Sequence, residues 1–262
     1  MSDLVQLVLE GGIARLTLNR PDKVNAFTVP LHGALRAALD AVERDAGCRC
    51  LVVTGAGKGF CAGQDLNERI RPAGAPPADL GTSLDTLYNP MIRRLKALPF
   101  PVIAAVHGVA AGAGASLALA ADIVLATRSA KFAFGFARLG LVPDSGCSWI
   151  LPRLIGPARA AGLALLGETI TGEQAAEWGL IWKAVDDDRL AEATEAVIRQ
   201  LLAEPPKGLA AIKRALQASW GNSLEAQLDH ERDAQRAAGF TRDYQEGVTA
   251  FLEKRAAKFE GR

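Results

Sequence analysis

The segment that decides the fold spans residues 101–144. It begins PVIAAVHG (101–108), continues VAAGAGAS (109–116) and ends LGLVPD (139–144). The first part is an apolar run of strand length, too short for a helix. The small residues that follow permit close backbone approach, and LALAA (117–121) then favours a helix. A strand that enters a helix through such a turn directs unpaired N–H groups and the positive end of the helix dipole at one point, where an oxygen with negative charge is stabilised.

Asp144, at the end of this segment, admits two interpretations. Aspartate is a favoured N-cap, and a helix is predicted to begin near Ser145. Alternatively, Asp144 is a general acid/base, a role that requires a partly apolar pocket to raise its pKa toward neutrality. The apolar side chains that offer such an environment are Leu139, Leu141, Val142 and Trp149. The local sequence leaves both roles open.

The N-terminal half of the chain predicts an α/β architecture. Two strand-like runs, 4–10 and 13–19, meet at a Gly-Gly turn and indicate a β-hairpin. A capped helix is expected over about 28–45. The run CLVVT (50–54) is a buried strand followed by a glycine-rich loop. That order is typical of parallel α/β proteins, which bind ligands at the carboxyl ends of their strands.

The C-terminal half predicts further strands and then mostly helix. The expected elements are a helix at about 80–98, strands at 122–126 and 131–134, and helical structure from 145 onward, including 190–201, 207–219, 223–238 and 242–256. The helical tail is richly charged, which fits either a covering layer or a subunit contact. The Pro- and Gly-rich patch at 71–78 is predicted to be a mobile surface loop, and one hypothesis makes it a lid over the substrate.

Composition argues against several classes of function. Thirty basic and twenty-nine acidic residues give a net charge of +1, so neither nucleic acid nor membrane is expected as a partner. The four cysteines form no CxxC pair and the three histidines do not cluster, so no metal site and no disulfide framework are predicted. Without a signal-peptide pattern or an apolar run of membrane-spanning length, a reduced cytoplasm is the expected location. GAGKG (55–59) matches no nucleotide-binding fingerprint, and a GxSxG hydrolase motif is absent.

Three motifs resemble the crotonase superfamily, also called the enoyl-CoA hydratases/isomerases. They are FCAGQDL (60–66), GVAAGAGAS (108–116) and LGLVPD (139–144), and the resemblance covers essentially the whole chain. It implies an α/β fold made of a spiral of ββα units with a C-terminal helical trimerisation region. By the same resemblance, residues 1–200 would hold the active site and residues 201–262 would serve oligomerisation and CoA contact. A homotrimer or a hexamer (a dimer of trimers) is implied.

The resemblance also assigns roles to individual residues. The N–H groups of Gln64 and Ala113 would form an oxyanion hole that polarises the thioester carbonyl of an acyl-CoA substrate. No separate cofactor is implied, because coenzyme A enters as part of the thioester. The residues expected to contact CoA or the substrate are Lys23, Val24, Ala26, Ala62, Gln64, Asp65 and Leu66, together with Phe251 and Lys254 in the tail. Lys254 is expected to bind a phosphate of CoA.

The chain departs from the hydratase pattern at two positions. Where the hydratases carry two glutamates that activate a water molecule, this chain has Ser116 and Phe136. Neither side chain can act as a carboxylate base, so hydration of a double bond is not expected. Asp144 lies where certain isomerases and dehalogenases of the family carry a working aspartate. One carboxylate without an activated water suits removal and return of a proton, which is isomerisation.

Four further segments resemble one branch of the family, the ring-epoxide isomerases of aerobic phenylacetate degradation. They are CAGQDLN (61–67), YNPMIRRL (88–95), GAGA (112–115) and EWGLIW (177–182). This resemblance implies conversion of 1,2-epoxyphenylacetyl-CoA to its oxepin. The pocket for the ring would be lined by Tyr88, Phe136, Leu139 and Trp149, although aromatic side chains serve core packing equally well. The alternatives are a Δ3-Δ2-enoyl-CoA isomerase, an enoyl-CoA hydratase and, in another class, a CoA-binding scaffold without catalysis.

Overall fold

The structure, a computed structural model, describes residues 4–70, 72, 74–76 and 78–261. It contains two compact units. The first comprises the described chain up to Leu98 together with Val102–Thr194, and the second comprises Pro99–Pro101 together with the described chain from Glu195 onward. The loop predicted at 71–78 lies partly outside the described residues, so the lid hypothesis stays a prediction. The assignment of the active site to residues 1–200, and of oligomerisation and CoA contact to residues 201–262, also stays a prediction.

Two sheets organise the first unit. Their strands are β1 (Val5–Glu10), β2 (Ile13–Leu18), β3 (Cys50–Gly55), β4 (Val102–Val106), β5 (Val109–Ala111), β6 (Ile123–Thr127), β7 (Lys131–Ala133), β8 (Thr169–Thr171) and β9 (Lys183–Val185). The larger sheet has the order β1-β2-β3-β4-β6-β9, and the smaller has the order β5-β7-β8. In the larger sheet only the β1–β2 hairpin is antiparallel. Every residue of β4 is buried, as expected for a parallel strand that is covered on both faces.

The helices that begin in the first unit are α1 (Val29–Arg44), α2 (Leu80–Ser83), α3 (Asn89–Ala97), α4 (Ala113–Leu119), α5 (Cys147–Leu166), α6 (Gly172–Glu177) and α7 (Leu190–Ala203), which continues into the second unit. Thr28 caps α1 by accepting a hydrogen bond from the Leu31 N–H, and Leu35, Leu39 and Val42 lie on its buried face. The predicted hairpin and the predicted first helix are therefore confirmed. The sequence did not reveal β5, β8 and β9, because three-residue strands carry too little periodicity.

The single helix predicted at about 80–98 is interrupted by a π-helical turn, Leu84–Tyr88. Pro90 explains the interruption, because proline has no N–H and its ring clashes with the carbonyl four residues earlier. The chain widens instead, and the Asn89 N–H bonds to the Leu84 carbonyl, five residues back. Such turns are frequent at functional sites. Here the turn ends at Tyr88, which is buried.

The second unit is helical. Its remaining helices are α8 (Pro206–Ser219), α9 (Leu224–Gly239) and α10 (Arg242–Glu253), which confirms the helical C-terminal region. Ser223 caps α9 and Thr241 caps α10 through their side-chain oxygens. Helix α10 ends before the predicted residue 256, because Lys254 adopts a left-handed conformation with φ 54°. Within the described ranges, no helix is long and apolar enough to cross a membrane.

Candidate active site

The first unit contains a cavity of about 400 Å³ at the turns that follow β3 and β5. Its wall includes loop 62–64, the π-helical turn, the start of α4 and the segment that leads to Asp144. The predicted site residues that line it are Ala62, Gln64, Leu66, Tyr88, Ala113, Phe136, Leu139 and Asp144. Residues from four separate parts of the sequence thus meet around one space.

Asp144 is a partly buried carboxylate in this wall. Burial raises the pKa of its side chain, while a hydrogen bond from the Ser145 hydroxyl (3.0 Å) and the charge of Arg69 oppose the shift. The side chain does not cap α5, whose N-cap is Gly146 without any side-chain bond. The capping interpretation of Asp144 is therefore wrong. Only its backbone carbonyl serves the helix start, by accepting from the Cys147 N–H at 2.9 Å.

The Gln64 N–H faces away from Phe27 because of the way its loop is bridged. The Phe27 N–H donates to the Gly63 carbonyl (2.7 Å), and the Asp65 N–H donates to the Phe27 carbonyl (2.9 Å). In such a parallel bridge, the bonded groups belong to the two neighbours of Gln64, so its own N–H faces the other way. That N–H meets no acceptor in the described part of the chain.

Ala113 supplies the second N–H. It is the first residue of α4, so its N–H has no partner inside the helix, and it finds none elsewhere among the described residues. Gly112 reaches this position with φ 50°, a conformation that favours glycine. A Cβ atom built on Gly63 would lie 3.4 Å from the Ala113 nitrogen, so the segments that carry the two donors are neighbours.

Glycine at 114 permits α4 to approach the same loop. A Cβ atom at Gly114 would lie 2.3 Å from the Cys61 carbonyl oxygen, which is far inside van der Waals contact. The bridge between Cys61 and Ala110 fixes the other side of the loop. The small residues of the deciding segment therefore place the first turn of α4 directly against loop 61–64.

Ser116 and Phe136 occupy the neighbourhood in which the resemblance places the hydratase glutamates. Ser116 is fully buried, and its hydroxyl donates to the carbonyls of Gly112 (3.2 Å) and Asp144 (3.1 Å). Phe136 is 7% exposed and its ring lines the cavity. Among the described lining residues, Asp144 is the one carboxylate.

The Gln64 side chain is clamped by two residues. Its Oε1 accepts from the Tyr88 hydroxyl (2.6 Å) and from Arg69 Nη2 (2.9 Å). Tyr88 in turn packs edge-on against Phe27 and His32 at ring-centroid distances of 5.5 and 4.4 Å. Burial raises the pKa of Tyr88, so its hydroxyl stays a donor. Sequence reasoning missed Arg69, since one arginine beside a low-complexity loop carries no signal.

Some predicted site residues lie outside the cavity wall. Trp149 is 45% exposed and carries Arg153 over its ring at 4.4 Å, so its assignment to the pocket lining is wrong. It sits on an exposed face of α5, whereas Cys147 and Ile150 point inward. Phe251 and Lys254 are exposed in the second unit, and their contact with CoA stays a prediction.

The turn at 20–26 adjoins loop 59–63. The Ala62 N–H donates to the Val24 carbonyl (2.8 Å), while Lys23 is exposed and Ala26 is buried. Asp65 is 9% exposed and forms a 3.0 Å ion pair with Arg20, which holds its carboxyl pKa below the ordinary value. A contact of Lys23, Val24, Ala26 or Asp65 with CoA stays a prediction. In the described residues, no three His, Cys, Asp or Glu side chains come together as a metal ion requires.

The family model for enoyl-CoA hydratase/isomerase matches residues 9–262. The chain belongs to this family. It is 54% identical over 263 residues to the 1,2-epoxyphenylacetyl-CoA isomerase of Escherichia coli (strain K12), with 100% of both chains covered. It is 44% identical to a protein of Rhodobacter capsulatus described as a probable enoyl-CoA hydratase, with 98% of each covered. A crystal structure of enoyl-CoA hydratase from Bacillus anthracis matches with a TM-score of 0.92 at 30% identity, over 99% of this chain and 100% of that one.

Membership of the enoyl-CoA hydratase/isomerase family confirms the predicted fold class and the predicted enzymatic character. The chain is an α/β protein with a crotonase fold and a helical C-terminal region, and it belongs to a family of enzymes that process acyl-CoA thioesters. Names within the family include both hydratases and isomerases. The residues of the cavity must therefore decide between the two reactions.

Proposed function

We propose that this enzyme is an acyl-CoA isomerase that converts 1,2-epoxyphenylacetyl-CoA to its oxepin isomer. One observation carries the proposal: Asp144 is the one carboxylate among the described lining residues of a cavity that also holds the unbonded N–H groups of Gln64 and Ala113. A single acid/base opposite two donors can move a proton, but it has no second carboxylate with which to activate water. The 54% identical relative bears the name of this activity.

In the proposed reaction, the thioester oxygen accepts hydrogen bonds from the N–H groups of Gln64 and Ala113. The Asp144 carboxylate takes a proton from the carbon next to the carbonyl, and the C–H electron pair forms an enolate whose oxygen those donors stabilise. Burial raises the pKa of Asp144 and thereby makes it a stronger base. Asp144 returns the proton at another carbon as the electron pair shifts the double bond. The product is an isomer, with no atom gained or lost.

The epoxide adds a rearrangement that needs no proton. The carbon–carbon bond common to the three- and six-membered rings opens as the two ring double bonds shift, which gives the seven-membered oxepin. Proton transfer by Asp144 from the side-chain carbon to a ring carbon then conjugates the product with the thioester. The apolar side chains available to surround the ring are Leu66, Phe136, Leu139, Leu141 and Val142.

Turnover of two substrates tests this proposal. The wild-type enzyme is expected to convert 1,2-epoxyphenylacetyl-CoA to a product of equal mass with an altered absorbance spectrum. A linear 3-enoyl-CoA, assayed beside it, tests the Δ3-Δ2-enoyl-CoA isomerase alternative, which would be favoured if only that substrate reacted. Robust hydration of crotonyl-CoA would contradict the argument from Ser116 and Phe136. A non-catalytic scaffold would bind the thioester but would not exchange its alpha protons with deuterated water.

We further propose a homotrimer or a dimer of trimers, a cytoplasmic location and no cofactor apart from the CoA of the substrate. Large apolar side chains exposed on the second unit support self-association, namely Leu224, Phe240, Phe251 and Leu252. The four cysteines are unpaired, which supports a reducing compartment. Light scattering on the purified protein tests the oligomeric state, and a monomer at micromolar concentration would contradict it.

A further inference from the structure

Arg69 is part of the cavity wall, yet in the proposed reaction its side chain neither takes up a proton nor donates to the thioester oxygen. It is the one cation among the described lining residues. Two hydrogen bonds hold its guanidinium: Nη1 donates to the Ser83 hydroxyl (3.1 Å) and Nη2 donates to Gln64 Oε1 (2.9 Å). Because the guanidinium is planar and rigid, these two bonds fix the directions of its other N–H groups.

The guanidinium retains donors that the protein does not satisfy. Arginine has five N–H groups, and those not bonded to Ser83 or Gln64 meet no acceptor in the described part of the chain. Alanine, glycine, leucine, valine and phenylalanine line most of the remaining wall. Arg69 is half-buried, so its remaining donors can bond to water in the cavity, and a substrate oxygen can take the place of that water.

We propose that Arg69 determines specificity by donating a hydrogen bond to an oxygen atom carried on the acyl group. This inference rests on the proposed function, since the epoxide and oxepin rings each offer one such oxygen and a linear 3-enoyl chain offers none. A site built to donate to a substrate oxygen discriminates strongly against an analogue that lacks it. Arg69 thus adds selection for an oxygenated ring to a site whose thioester chemistry is general.

A second role for Arg69 must be separated from this one. Its bond to Gln64 Oε1 also helps to hold the residue whose N–H serves the oxyanion hole, and Tyr88 shares that acceptor. Arg69 also borders a smaller cavity of about 320 Å³ on which Gln64 and Glu68 lie. Loss of this support for Gln64 would affect the reaction of every thioester alike. The ratio of activities on two substrates therefore isolates recognition of the ring oxygen.

The experiment measures kcat/KM for 1,2-epoxyphenylacetyl-CoA and for a linear 3-enoyl-CoA with the full-length enzyme. Arg69→Met is expected to lower the epoxide value by roughly 10- to 100-fold more than the linear value, as expected for loss of one substrate hydrogen bond. Tyr88→Phe removes one of the two hydrogen bonds to Gln64 Oε1 but keeps Arg69, so it is expected to lower both values by the same factor. Arg189→Met removes an exposed arginine that pairs with Glu192 and does not line the cavity, and it is expected to change neither value.

Each outcome decides the question. Equal losses on both substrates in Arg69→Met, or a shift of the ratio in Tyr88→Phe as large as that in Arg69→Met, would overturn the inference. If Arg69→Met does not fold, Arg69→Lys keeps the charge without the planar fork, and equal losses on both substrates in that variant would overturn it too. If the wild-type enzyme does not convert the epoxide, the proposed function is wrong. Failure of the proposed function can therefore be distinguished from failure of the inference about Arg69.

Discussion

Replacement of Asp144 by asparagine separates catalysis from folding. The amide has nearly the shape of the carboxyl group but cannot take up a proton. General acid–base catalysis contributes about 10²- to 10⁴-fold. We expect the upper part of that range, about 10³- to 10⁴-fold in kcat or roughly 4–5 kcal/mol, because Asp144 is the one carboxylate among the described lining residues. KM should change little, since the N–H groups of Gln64 and Ala113 remain.

The same substitution should leave the fold intact. The raised pKa of Asp144 means that folding disfavours its charged form, so this group stabilises the protein below its unfolded-state pKa and loses that contribution as the pH rises through its folded-state pKa. At neutral pH a neutral side chain avoids this penalty. The bond from Ser145 is weakened, at a cost of about 1 kcal/mol, and the smaller attraction to the charge of Arg69 is lost. The melting temperature of Asp144→Asn should therefore match or exceed that of the wild type.

Three measurements test this pair of expectations. They are kcat on the epoxide, exchange of alpha protons with deuterated water, and the calorimetric melting temperature. Asp229→Asn is the control, because Asp229 is exposed on α9 and pairs with Arg232 on the same helix. Full turnover or full proton exchange by Asp144→Asn would refute the assignment of Asp144 as the base. A large fall in melting temperature would show that the carboxylate is structural.

The other predictions concern pH, water and packing. Because burial raises the pKa of Asp144, kcat/KM should fall as the pH drops through a value above the ordinary range for aspartate, and a pH profile without such a limb would contradict the base assignment. Phe136→Glu puts a second carboxylate into the cavity and should raise the rate of crotonyl-CoA hydration at least about 10-fold above the wild type. The rate is measured by loss of thioester absorbance, and an unchanged rate would contradict the argument that Phe136 prevents hydration. Gly114→Ala should destabilise the protein by roughly 1–3 kcal/mol, because its Cβ would overlap the Cys61 carbonyl at 2.3 Å. Gly162→Ala, a helical glycine with open space around it, should be neutral or stabilising in the same melting experiment.

Local chemistry made much of the fold predictable. The glycine pair that closes the first hairpin, the Thr28 cap and the apolar face of α1 each act over a few residues, so their signals are visible in the sequence. The interruption of the helix at Tyr88 was missed, although Pro90 is its cause. A proline inside an apolar periodicity predicts a break, but it does not say that the chain will continue through a π-helical turn.

The candidate site likewise contains features that the sequence predicted and features that it did not. Ala113 was assigned from the family resemblance, and the strand, turn and helix start that expose its N–H are contiguous in the chain. Trp149 was predicted to line the pocket as a large apolar side chain, but the direction of a side chain depends on how α5 packs. The capping interpretation of Asp144 failed for a related reason, since Gly146 rather than Asp144 precedes the first turn of α5.

The sequence by itself predicted which groups would carry the chemistry. Residues 101–144 contain a strand, a close-packing turn, a helix start and the carboxylate of Asp144, and they carry Ser116 and Phe136 in place of the two hydratase glutamates. Only the tertiary structure decided what surrounds that carboxylate. Burial, which raises its pKa, and the Arg69–Gln64–Tyr88 network both depend on segments distant in the chain that fold against one another. Backbone donors follow from local conformation, whereas desolvation and side-chain hydrogen bonds exist only once those segments meet.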